Sequence, residues 1–144
     1  MKKIFIIFLV IFLIIIACER KLPNKSFELI EKFLKFRNEN NYIQMYNLYY
    51  HRYYKSVPFE SFKYREDIYA KRFGKLIKYE LIRWSYRKNF ACGPGSGKMV
   101  AVIVHCIYTG GETEETFTLL NVANNEWKIF DYYLKPIVIK KFDN

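Results

Sequence analysis

At Gly74 the hydrophobic pattern of this chain changes its period, and that switch limits the architectures open to it. Before it, apolar residues recur every three or four positions, as on one face of a helix; after it they alternate, as in half-buried strands. Asn24 or Ser26 can cap a first helix through about Arg37, with Phe27, Ile30, Phe33 and Leu34 as its apolar stripe. Asn38-Glu39-Asn40-Asn41 breaks it. The spacing of Tyr42, Tyr46, Tyr49, Tyr50 and Tyr53 predicts a second helix over Tyr42 to Tyr53, with the tyrosines as packing surface. Ser56-Val57-Pro58 opens a third, lined by Phe59, Phe62, Tyr69 and Phe73 and stopped by Gly74.

Tyr79–Phe90, Met99–Tyr108, Glu112–Val122 and Glu126–Leu134 then read as strands joined in successive hairpins. The connections are Gly93-Pro94-Gly95-Ser96-Gly97, Thr109-Gly110-Gly111 and Asn124-Asn125. Centring the turns sets the register. Leu119 is expected opposite Phe130 and Phe117 opposite Tyr132; Val102 opposite Leu119, Val104 opposite Phe117 and His105 opposite Thr116; Tyr86 opposite Val104 and Trp84 opposite Cys106. One face then collects Ile82, Trp84, Tyr86, Val102, Val104, Cys106, Phe117, Leu119, Phe130 and Tyr132, with no carboxylate and no histidine among them. The other carries Arg83, Ser85, Arg87, Ala101, Ile103, His105, Thr116, Thr118 and Ile129. A sheet with one apolar face needs a cover, which the helices must supply. The expected fold is α+β: N-terminal helices packed on one face of a curved antiparallel β-meander.

"NNYIQMYNLYY", "FGKLIKYEL", "GPGSGKMVAVIVHCIYTGGETEETFTLL" and "NNEWKIFDYYLKP" resemble small exported bacterial proteins with the cystatin-like α+β cone of the nuclear-transport-factor-2-like superfamily. The resemblance runs from about Ser26 to Leu134. It implies a pocket beneath the helices, which Trp84, Tyr86, Phe117 and Tyr132 would line. In enzymes of that superfamily an Asp, Glu or His projects into the cone, so the inward set argues for a non-catalytic binding or accessory module. Asp67, Asp131 and His105 are the acid–base candidates if the chain is instead a small enzyme. His51 and His105 are read as satisfied side chains on helix end and outer sheet face. An ionisable group inside the cone would favour catalysis. A surface interaction protein is a third reading.

The compartment is read from the other end. Met1-Lys2-Lys3 precedes an apolar run from Ile4 to Ile16, shorter than the roughly 17–25 residues of a membrane-crossing helix and suited to a secretory signal. Ile15-Ile16-Ala17-Cys18 resembles the lipobox of bacterial lipoproteins. That implies cleavage between Ala17 and Cys18, acylation of Cys18, and anchorage on the extracytoplasmic side of the cell membrane or the outer membrane. The expected organisation is residues 1–17 as signal peptide, 18–25 as a lipid-anchored tether and 26–144 as a single domain.

Gly93 to Lys98 imitates a phosphate-binding loop, but Cys92 stands at the first glycine position and Met99 where a Ser or Thr should hold magnesium. Met99 to Val104 is strand-like, so no helix N-terminus is there to receive phosphate. No nucleotide is expected. The formal charge is +10, yet the basic residues are spread along the chain without a nucleic-acid-binding signature, and no nucleic-acid partner is expected. No cysteine–histidine cluster has metal spacing, and no metal or other cofactor is expected. Cys92 and Cys106 should lie roughly 27 Å apart along the first hairpin, too far for a disulfide. The partners expected are the membrane, through the lipid, an unknown small ligand or envelope protein, and a second copy through the outer sheet face.

Overall fold

The computed structural model describes residues 22–87, 98–123 and 126–139. The fold is α+β as expected: helices followed by a four-stranded, curved, unclosed antiparallel sheet in the order β1-β2-β3-β4. The elements are α1 (Asn24–Asn38), α2 (Tyr42–Asn47), α3 (His51–Ser56), α4 (Phe59–Phe73), β1 (Leu76–Arg87), β2 (Met99–Tyr108), β3 (Gly111–Ala123) and β4 (Glu126–Ile139). Among the described residues no helix is long and apolar enough to cross a membrane. Ala17, Cys18 and Cys92 lie outside the described residues, as do the Gly93–Gly97 and Asn124-Asn125 turns.

α1 begins two residues before the expected domain start, at Asn24, where the Ser26 N–H and hydroxyl both donate to the Pro23 carbonyl. It buries Ile30, Phe33, Leu34 and Arg37, one continuous face at helical spacing. Asn40 then takes a left-handed conformation (φ 54°), and the Asn40 and Asn41 N–H groups close on the carbonyls of Arg37 and Phe36.

The helix expected over Tyr42 to Tyr53 is in fact two. Between α2 and α3 the backbone pairs with the sheet: the Ile129 N–H donates to the Leu48 carbonyl (2.9 Å) and the Tyr50 N–H to the Ile129 carbonyl (2.8 Å). β4 is an edge strand with open hydrogen-bonding groups, and partnering them outweighs continuing a helix through residues 48–50. The same edge position tolerates Pro136, which lets β4 run beyond Leu134.

α4 ends at Gly74, whose φ of 72° suits glycine, and its last carbonyl docks on the β2–β3 turn. The Gly110 N–H donates to the Phe73 carbonyl at 2.7 Å, and a Cβ on Gly110 would come within 2.8 Å of the Arg72 carbonyl oxygen. Both neighbours are backbone, so neither can swing away. Gly110→Ala should therefore lower stability by roughly 1–3 kcal/mol, read as a fall in the thermal midpoint; an unchanged midpoint would mean that this turn does not clamp α4.

That docking also corrects the register. Tyr108 pairs with Gly111, so the turn is Thr109-Gly110, and Val102 faces Phe117, Val104 faces Glu115 and His105 faces Glu114. The slip is two residues, which leaves every side chain on its expected face but changes its partner. β1 slips by four: Trp84 faces Val102 and Tyr86 faces Val100. A bulge at Ile82 turns that residue outward, 50% exposed rather than inward. In β4, Phe117 faces Tyr132 as expected, but a bulge puts Ile129 and not Phe130 opposite Leu119. Ile129 is fully buried and Phe130 43% exposed, the reverse of the expected assignment. The core lies between the helices and the concave face, where Phe33 meets Tyr49, Phe117 and Tyr132 ring to ring.

Candidate functional site

The largest departure from the expected inward face is a carboxylate. Two residues before Phe117 on the same face of β3 is Glu115, with no exposed surface at all. It is joined by Glu66, one helical turn beyond Phe62 on α4, and by Arg37, one turn beyond Phe33 on α1, at 1% and 6% exposure. The reading of an inward face without ionisable groups is overturned. Strand alternation carries the inward face of β3 past Phe117 to Glu115 and Thr113, both fully buried opposite Val104 and Cys106.

These groups form one network. Arg37 Nε donates to Glu66 Oε2 (3.0 Å), and Arg37 Nη1 donates to Glu115 Oε2 (2.8 Å) and to the Tyr108 hydroxyl (3.2 Å). Glu115 Oε1 accepts from the Tyr108 hydroxyl (2.6 Å) and the Thr113 hydroxyl (2.9 Å), and its Oε2 also accepts from the Tyr132 hydroxyl (2.6 Å). Each Glu115 oxygen thus takes two donors, the capacity of a carboxylate oxygen. Arg65 donates to Glu66 Oε1 (3.4 Å) and to the Tyr53 hydroxyl (3.0 Å). The Arg37 guanidinium is walled by the Phe33 and Tyr132 rings, 4.8 and 5.1 Å from their centroids.

Electrostatics follow from the geometry. Burial by itself would push the Glu115 carboxyl up, but the Arg37 charge and the hydroxyls of Tyr108, Tyr132 and Thr113 outweigh it, and its pKa falls below the usual carboxylate range. Burial drives the Tyr108 and Tyr132 hydroxyls well above theirs, with Glu115 adding to the effect, so both stay protonated donors. Glu115 is therefore held as an anion whose lone pairs are all occupied. Such a group is a poor proton acceptor for a substrate.

A cavity of about 140 Å³ adjoins the network where α1 and α4 end. Arg37 and Tyr108 line its inner end, Tyr69, Ala70, Phe73 and Leu134 its apolar wall, and Asn38, Asn40 and Lys75 its polar rim. Two of the buried residues that build it, Arg37 and Tyr108, are also members of the network.

The four aromatics expected to share a pocket lie elsewhere. Trp84 and Tyr86 meet edge to face (5.4 Å) on β1, with Tyr86 39% exposed. Phe117 is fully buried against half-buried Tyr132 (5.0 Å) in the core. None of the four lines the cavity beside Arg37. The acid–base candidates also lie apart from it: Asp67 is half-buried on α4, Asp131 is exposed and accepts the Tyr132 N–H, and His105 stands on the outer sheet face between Glu112 (3.0 Å) and Glu80 (3.5 Å). His51 opens α3. Cys106 is a fully buried free thiol, pushed up in pKa chiefly by burial, which makes it unreactive. Among the described residues, no group of three or more His, Cys, Asp or Glu side chains could hold a metal ion.

Comparison of the chain with protein-family models, with curated proteins and with solved structures gives no match.

Proposed function

We propose that this chain is an extracytoplasmic lipoprotein of the nuclear-transport-factor-2-like type, tethered through Cys18, that binds a small ligand or envelope partner without transforming it. The observation that carries the non-catalytic part is the saturation of Glu115. A general base needs a free lone pair and a pKa near the working pH, whereas this carboxylate has four donors and a depressed pKa. The cavity beside Arg37, with an apolar wall and a few convergent polar groups, supplies the binding site. The outer sheet face remains the surface for self-association, with Tyr133 63% exposed on the edge strand β4 beside Thr116.

The second reading is a small enzyme, favoured by the presence of Glu66 and Glu115 inside the fold. It requires one of these carboxylates to leave its partners on substrate binding.

Anchorage is tested by fractionating cells that produce the full chain or Cys18→Ser. The wild type should pellet with membranes, carry acyl mass and begin at Cys18; the variant should move to the soluble fraction. A native product that begins at Met1, or lacks acyl mass, defeats the lipoprotein reading. Native mass spectrometry of the same membrane extract reads the binding part: an unchanged ligand or a protein partner supports it, and turnover of the co-purified molecule that is lost in Glu115→Gln favours the enzyme.

A further inference from the structure

Contacts along α1 fix its direction against β1. Asn38 accepts the Leu76 N–H (3.0 Å) and Glu31 accepts the Tyr79 hydroxyl (3.0 Å). Further back, Leu22, Asn24, Phe27 and Glu28 share a groove of about 390 Å³ with Leu81. α1 thus runs antiparallel to β1, and its N-terminus lies at the end of the sheet where β1 finishes in Trp84, Tyr86 and Arg87.

Little covers that end of β1. It is an edge strand, and from Leu81 to Arg87 only Trp84 is half-buried; Leu81 is 39%, Ile82 50% and Tyr86 39% exposed. Alternation sets Trp84 and Tyr86 on the concave side and Arg83, Ser85 and Arg87 on the convex side. The exposed charges close by are unequal: Lys25, Arg83, Arg87 and Lys98 stand against Glu28. On the far edge strand, Glu126 is already held by Lys128 (3.2 Å), and Asp131 accepts the Tyr132 N–H. The opposite end of the sheet is mixed in charge, with Glu80, Glu112 and Glu114 among Lys75, Lys78 and Lys135.

We propose that this end of the domain, led by Arg83, Trp84, Tyr86 and Arg87, docks on the anionic headgroups of the bilayer that holds the Cys18 lipid. The inference rests on the lipoprotein reading and adds an orientation to it. Tether length supplies the occupant. From Cys18 to Leu22 the chain takes four steps, which span at most about 14 Å, and the headgroup layer is itself roughly 5–8 Å deep. The N-terminus of α1 therefore has no room to stand clear of the lipid surface. Of the surfaces beside it, the end of β1 has the composition a headgroup layer selects: aromatic rings partition to the interface, and arginines pair with phosphate.

The test reconstitutes the full acylated chain in vesicles of phosphatidylcholine brominated near the headgroup, with or without added phosphatidylglycerol, and reads tryptophan fluorescence. The tryptophans are Trp84 and the buried Trp127. Bromine should quench the wild type in the vesicles with phosphatidylglycerol, and Trp84→Phe should remove the quenched component. Arg83→Gln and Arg87→Gln, both at exposed sites, should each lower the docked-to-undocked ratio about fivefold. Quenching as strong in phosphatidylcholine alone overturns the anionic partner. An acylated chain whose Trp84 escapes bromine and stays open to aqueous acrylamide overturns the docking and leaves the lipoprotein reading standing. Trp84 shielded from bromine and acrylamide alike puts a protein on this face, a second copy or another, and overturns the bilayer as its occupant. A chain without acyl mass overturns both readings.

Discussion

Arg37→Met is expected to cost roughly 3–5 kcal/mol at neutral pH, because it leaves two carboxylates buried without the cation between them. The effect should also reverse the pH dependence of this site. In the wild type the Glu115 pKa is depressed in the folded state. Its contribution to stability is therefore complete above the unfolded carboxylate range and is lost as the pH falls through the folded value. Without Arg37, burial becomes the governing influence on Glu115, and burial raises a carboxyl pKa. The folded variant then holds a proton that the unfolded chain releases, so the variant is least handicapped in acid and loses stability as the pH rises through the raised value. Denaturant unfolding of both proteins at about pH 5 and about pH 7.5, on either side of that expected shift, reads this directly. The gap between them should widen toward the higher pH. A gap that is constant or narrows would mean that Arg37 does not hold Glu115 ionised. Methionine keeps the length and packing of the stem, so the change is chiefly one of charge.

Phe33→Ala is expected to cost a similar amount, about 3–5 kcal/mol, for a different reason. Phe33 is fully buried, touches the rings of Tyr49, Phe117 and Tyr132 at centroid separations of 6.1, 5.3 and 5.2 Å, and walls the Arg37 guanidinium. Its removal opens a cavity where α1 meets β3 and β4, and removes no charge. The loss should therefore be nearly equal at the two pH values, in contrast to Arg37→Met. Phe33→Leu should recover most of it by refilling the space. If Phe33→Ala acquired the pH dependence of Arg37→Met, the ring would be acting mainly by holding the guanidinium in place.

Much of this architecture was legible along the chain. The period change at Gly74 separated helices from strands, and the stripe of Ile30, Phe33 and Leu34 identified the buried face of α1. Even the ion network had a local signal. Arg37 falls one turn after Phe33, Glu66 one turn after Phe62, and Glu115 two residues before Phe117, all on faces already assigned inward. What obscured it was residue type, since a single charge on an apolar face reads as the edge of that face. Only three such residues from three elements, brought within hydrogen-bond reach, make burial affordable. The Tyr42–Tyr53 stripe misled for a related reason: helical spacing could not announce that the carbonyl and N–H of Ile129 would need partners at Leu48 and Tyr50.

The amino-acid sequence by itself determined the α+β class, the order of the elements, and most of the side-chain faces, because helical and strand periodicity are local properties of the chain. Only the tertiary structure decided which residues meet. Strand alternation is unchanged by a slip of two or four residues, so it carries no information about partners; the close seat of Gly110 under α4 sets one register, and bulges at Ile82 and Phe130 reset the others. The same nonlocal closure brings Arg37, Glu66 and Glu115 together and places a small cavity beside them.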